Sequence, residues 1–169
     1  MNQKKPQPLN YNPPVWWPKP ELLDVVYGFN PIDWARTQRG EKKLEPGPDP
    51  HSMFVYAKNC HKTNTDQWYV CVLVGTTLKE SEKGALTEHF FVVDEEEVLR
   101  SACLSRPTKF NFTQPWPWIP YNSDYFLPPW FVDGAKTPYQ GFLNIKPKSV
   151  NERFYLTRIK AGFPEGWPL

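Results

Sequence analysis

Twenty prolines in a chain of 169 residues limit the folds open to it more than any other feature. Proline locks its φ angle and lacks a backbone donor. Inside a helix this costs about 3 kcal/mol, and within a sheet it confines proline to edges and bulges. Such a chain is built from short strands and rigid connections, with helices only where proline is absent. Disorder is not the alternative. Eight tryptophans, eight tyrosines and eleven phenylalanines, within a hydrophobic content of 40%, supply the side chains that build cores. At this length one domain is the simplest reading, and its core needs no covalent staple.

Residues 1–20 hold six prolines and read as an extended arm anchored by Trp16 and Trp17. Residues 21–169 read as a single barrel domain with an aromatic, Pro-rich C-terminal extension. Apolar, β-rich runs predict strands at 22–29, 52–58, 68–75, 88–93 and 107–112. The polar stretch 32–50 predicts a loop, and 61–67 a hairpin turn. Asp94 with Glu97, and Ser149 with Glu152, have the spacing of capping boxes. They predict a short helix that opens at Asp94 and ends near Leu104, and a terminal helix over about 150–161. Short, mostly hairpin-linked strands with little helix make the fold mainly β: a small, partly open antiparallel barrel with short helices.

Several function classes are excluded early. A net charge of +2 gives no strong non-specific grip on nucleic acid. Cys60, Cys71 and Cys103 are odd in number and widely spaced, without a C-x-x-C pair, so neither a zinc knuckle nor a redox motif is offered. Buried free thiols in a reducing compartment are expected instead. The N-terminal residues lack an apolar signal-peptide core, and no window approaches the ~20 apolar residues of a membrane span. A cytoplasmic protein without a membrane partner is expected. Esterase, Walker, dinucleotide and zinc-protease signatures are missing. His51, His61 and His89 share no metal-ligand spacing, so neither metal nor cofactor is expected.

The stretch "QWYVCVLVGTTLKESEKG", 67–84, changes character midway. A strand apolar on both faces ends in Gly75, Thr76, Thr77, Leu78 and Lys79. In a hairpin the start of one strand lies beside the end of its partner, which brings His51 near Thr76. An imidazole, two hydroxyls and the Lys79 ammonium together can hold a phosphodiester and move a proton. The other reading is that the threonines only end the strand and His51 is a solvated loop residue. Trp34 or Trp116 can stack unpaired bases, or can pack into core or arm.

The ordered segments "ELLDVVYGFNP", "EPGPDPHSMFVYAK", "WYVCVLVGTTLKE", "EHFFVVD" and "LSRPTKFNF" resemble the MazF/PemK family of bacterial toxins. The likeness is to its longer PemK-like branch, where a "PGPKPRP"-type loop leads into the second strand, and it covers roughly residues 21–127. It implies an SH3-like barrel that dimerises. It implies a ribosome-independent endoribonuclease that cuts single-stranded RNA without metal or cofactor, the RNA 2′-hydroxyl being the nucleophile. It also implies a cognate antitoxin protein as partner. In the family an arginine opening the second strand and a threonine after the third form the catalytic pair. Thr76 matches the threonine, but His51-Ser52 stands where the family has Arg-Pro. Arginine offers a permanent charge and a planar fork, whereas histidine exchanges protons near neutral pH. His51 therefore either takes over the chemistry or marks its loss, and Asp49 adds a negative charge beside the phosphate site. With the residue reading above, the candidate site is His51 and Thr76 as catalytic residues, with Thr77, Lys79 and Trp34 holding substrate; of these the resemblance itself implies Thr76. The alternative is a non-catalytic module on the same barrel. It would bind a protein partner through the Pro/Trp-rich arm and "FTQPWPWIPYNSDYFLPPWF", or bind RNA without cleaving it.

Overall fold

The computed structural model describes residues 13–32, 34, 40, 49–84, 89–112 and 117–162. Its strands are β1 Asp24–Phe29, β2 Pro50–Cys60, β3 Trp68–Thr77, β4 Phe90–Val93, β5 Thr108–Asn111, β6 Ile119–Pro120 and β7 Tyr139–Phe142. Helix α1 spans Glu96–Ser101 and α2 spans Lys148–Lys160. The strands pair antiparallel in the order β4-β5-β3-β2-β1-β7, with β6 beside the first half of β3. The result is a mainly β fold, a curled half-barrel sheet with one long helix.

Strands β2 and β3 form the centre, zipped by seven residue pairs from Met53–Val74 to Cys60–Trp68. Successive side chains on a strand point to opposite faces, and here both faces are apolar. Phe54, Tyr56, Cys71 and Leu73 join one buried cluster. Met53, Val55, Val70, Val72 and Val74 join a second. A bulge between Val55 and Ala57 lets Tyr56 and Ala57 both enter the first cluster. Gly75 allows the strands to close up. A Cβ there would lie 2.7 Å from the Phe110 ring and 2.9 Å from the Ser52 carbonyl oxygen.

The two clusters are covered by different means. Helix α2 covers the first, where Phe154 meets Phe91 and Phe112 edge to face at 5.2 and 5.6 Å. Arg153 fixes that helix by donating to the Val92 carbonyl (3.1 Å) and pairing with the Glu95 carboxylate. The second cluster is covered by Ile119, Tyr121, Phe126 and Trp17. The Trp17 amide donates to the Tyr121 carbonyl (3.1 Å), and Val15 and Ser123 bond reciprocally. Trp16 lies 5.8 Å from the Tyr69 ring. The described part of the arm, 13–20, and much of the aromatic extension therefore wrap this chain's own sheet.

The sequence-based strands are found in place, with shifted ends: β2 starts at Pro50, and β4 starts at Phe90. Strands β6 and β7 were not expected. Neither capping box forms. The N-caps are Glu95 and Pro147, and neither makes a side-chain cap bond. Glu95 is instead engaged by Arg153. Pro147, with no N–H to satisfy and φ at −56°, leads straight into the first turn and leaves Ser149 inside the helix. The 61–67 turn is held by His61, whose Nδ1 accepts from the amides of Thr63 (3.2 Å) and Asn64 (3.1 Å). Of the expected loop at 32–50, most lies outside the described residues, as does Trp116. Only Cys71 is a buried thiol. Cys60 is half-buried and Cys103 exposed, because they end a strand and a helix rather than facing the core. Among the described residues no helix is long and apolar enough to cross a membrane.

Candidate functional site

A cavity of about 940 Å³ opens where β2 begins and β3 ends. Three segments supply its polar groups. His51 and Ser52 come from β2, Thr76 and Thr77 from β3, and Arg100 and Arg106 from α1 and the loop that follows it. The β2–β3 ladder ends at Met53 opposite Val74. His51 and Thr76, each two residues beyond that last pair, both line the cavity. Each is fixed from its other side as well, since His51 pairs with Gly28 of β1 and Thr76 with Lys109 of β5. The threonines are exposed, while His51 and Ser52 are half-buried.

The opposite wall is shaped by the end of α1. Cys103 has φ of +54°, its amide donates to the Arg100 carbonyl (3.1 Å), and the Leu104 amide donates to Leu99 (2.8 Å). That is a Schellman turn with cysteine at the position usually held by glycine, at a cost of roughly 1–2 kcal/mol. It directs residues 103–106 along the cavity. Gln140 of β7 holds this turn. Its buried Nε2 donates to the carbonyls of Ala102 (3.0 Å) and Cys103 (3.3 Å), acceptors that a helix end otherwise leaves orphaned. Its Oε1 accepts from Ser52 Oγ (3.0 Å). One side chain thus ties the α1 wall to β2, one residue from His51. Gly141 permits the approach, because a Cβ there would sit 2.3 Å from the Ser101 carbonyl oxygen.

The charges favour an anion. Arg100 is paired with Glu96 at 2.8 Å, but both side chains are well exposed. Such a pair is worth little and is easily exchanged for another partner. Arg106 has no ion-pair partner among the described residues, and none of their carboxylates lines the cavity. Burial pushes the Tyr27 phenol at the rim above its ordinary pKa; the Trp130 indole draws it back and the Asp49 charge adds to the rise. Among the described residues no group of three or more His, Cys, Asp or Glu is placed to hold a metal ion.

Of the residues singled out in the sequence, the fold gathers His51, Thr76 and Thr77 in this cavity. It does not gather Lys79 or Trp34. Lys79 opens a 3₁₀ turn at Glu80–Glu82, its amide donating to Glu82 Oε1 (3.0 Å) outside the cavity lining. Trp34 stacks on Phe29 with centroids 5.2 Å apart and planes at 22°, a packed aromatic away from the lining. Arg100, Arg106, Trp130 and Phe131 were not anticipated. Arg106 lies within "LSRPTKFNF", one of the five segments that carry the family likeness, and that membership was the one available signal. Comparison with protein-family models, with curated proteins and with solved structures finds no match to this chain.

If Gln140 ties the two walls together, Gln140→Leu strands the Ser52 hydroxyl and two carbonyls. Urea unfolding should then show a loss of about 2–3 kcal/mol. A loss below about 0.5 kcal/mol would mean that the walls are held by other contacts.

Proposed function

We propose that the protein is a metal-independent endoribonuclease of MazF/PemK type that cleaves single-stranded RNA in this cavity. The observation that carries the reading is the convergence of His51, Thr76 and Arg106 from three separate segments on one cavity. Cleavage by the RNA's own 2′-hydroxyl needs a base for that proton. It also needs donors and positive charge for the non-bridging oxygens, and an acid for the departing 5′-oxygen. His51 takes the 2′ proton. Thr76 and Thr77 donate to the phosphate oxygens. Arg106, with Arg100 beside it, supplies the planar cationic fork that His51 itself cannot. The 2′-oxygen bonds to phosphorus as the 5′-oxygen leaves, and protonated His51 returns the proton to it. The products are a 2′,3′-cyclic phosphate end and a 5′-hydroxyl end.

The reading includes a homodimer and a cognate antitoxin partner in the cytoplasm. Exposed Tyr139 and Phe142 on edge strand β7, and Leu156 and Ile159 on α2, suit such contacts. A second reading is a disarmed barrel that binds a protein or RNA partner without cutting RNA. It draws on Asp49, whose negative charge reaches Tyr27 at the cavity rim and opposes a phosphate.

Purified protein should leave cyclic-phosphate ends on a long unstructured RNA, with or without chelator. Thr76→Ala should slow cleavage about tenfold or more, and His51→Ala about 10²-fold or more. Intact RNA under every condition would set the enzyme aside, and cleavage only by His51→Arg would favour the disarmed barrel. In the same preparation, light scattering should give the mass of two 19.8 kDa chains, and a single-chain mass would remove the dimer.

A further inference from the structure

Trp130 is 82% exposed, more than any other large hydrophobic side chain among the described residues. Its inward polar contact is with the Tyr27 phenol, which leaves the ring itself facing solvent. Pro128 and Pro129 precede it, and the Val132 amide closes a turn onto the Pro129 carbonyl (3.2 Å). Its ring meets Phe131 edge to face at 5.7 Å and 88°. Phe131 in turn meets Tyr27, a buried residue of β1, at 5.3 Å and 89°. Trp130, Phe131 and Tyr27 line the same cavity as His51, Thr76 and the two arginines.

A supported, solvent-facing π surface thus shares a cavity with two guanidiniums. The ligand that complements both is flat and aromatic at one end and anionic at the other, as a nucleotide is. We infer that Trp130 is a stacking platform for an unpaired base of single-stranded RNA, next to the phosphate held by Arg106 and Thr76. The inference rests on the RNA reading above and adds a subsite to it. Trp130 lies beyond the segment that carries the family likeness, so the platform is a feature of this chain's own extension. Stacking accepts any base, so Trp130 contributes affinity rather than sequence choice. Phe131 and Tyr27 act as its support and do not themselves touch the base.

The test uses a labelled single-stranded RNA whose 2′-hydroxyls are methylated, so that it binds but cannot be cut, and the same strand made abasic. Fluorescence anisotropy of the full-length protein gives both dissociation constants. Trp130→Ala should weaken binding of the base-bearing strand about tenfold or more, and Trp130→Phe should stay within about threefold of the unaltered protein. Trp130→Ala should leave abasic binding unchanged, whereas Arg106→Ala should weaken both strands alike. An exposed ring is removed at little structural cost, and circular dichroism checks that the variant is folded. Unchanged affinity in Trp130→Ala, an equal loss on the abasic strand, or no binding by the unaltered protein would each overturn the platform. The outcomes separate the two readings. Trp130-dependent binding by a protein that cuts no RNA leaves the platform and removes the nuclease. Cleavage by a protein whose affinity ignores Trp130 does the reverse.

Discussion

Strands β2 and β3 are apolar on both faces over residues 53–57 and 70–74, and a sheet of that kind has to be covered twice. Each large side chain taken out of water there contributes on the order of 1.5–3 kcal/mol, so neither face can stay open. Larger proteins meet this requirement with layers of helices. Among the described residues there is one helix of useful length, α2, and it lies on the Phe54–Phe154 side. The other side is covered by extended, proline-rich segments that place Trp17, Ile119, Tyr121 and Phe126 on the valines of β2 and β3. Proline suits such a cover, because it has no N–H to strand against an apolar surface. The unusual composition and the two-faced centre are one constraint seen twice.

The same constraint decides where polar chemistry can sit. Burial runs unbroken from Val70 to Gly75 and stops at Thr76, where the covers end. Beyond that point the strand ends are still held by β1 and β5 but are open to solvent. Rigid backbone with exposed side chains is a good place to hold reacting groups. The wall opposite is strained at Cys103 and clamped by Gln140, so the arginines reach the cavity through a turn whose position depends on β7. Strand pairing, helix termination and the cavity's charge are linked through that one amide side chain.

The five principal strands were legible because each is a short apolar run with turn signals on either side. That His51 and Thr76 line one cavity was legible too, since a hairpin carries the start of one strand and the end of the other to the same edge. The two-residue β6 and the four-residue β7, whose aromatics flank Gln140 and Gly141, are too short to carry such a pattern, and they exist because their partners β3 and β1 offer free edges. The capping boxes were misleading because spacing does not reveal competitors: Arg153 engages Glu95 from another helix, and Pro147 starts α2 early. Lys79 was suggested by its place just after the threonines and Trp34 by its residue type alone, and neither lines the cavity. Arg100, Arg106 and Trp130 reach the cavity across separations of about 24 to 79 residues from His51 and Thr76, which no local pattern encodes. That Trp16 and Trp17 anchor the arm was readable from residue type, but which face they cover was not.

The central claim is that a single-stranded RNA lies in the cavity between β2, β3 and the α1 turn. The most direct measurement is amide chemical-shift mapping of the full chain with a short 2′-methylated RNA. Shifts should concentrate at His51 and Ser52, at Gly75 to Thr77, along Cys103 to Arg106, and at Trp130. Shifts confined to the exposed residues of α2 and β7, with these positions unmoved, would contradict it.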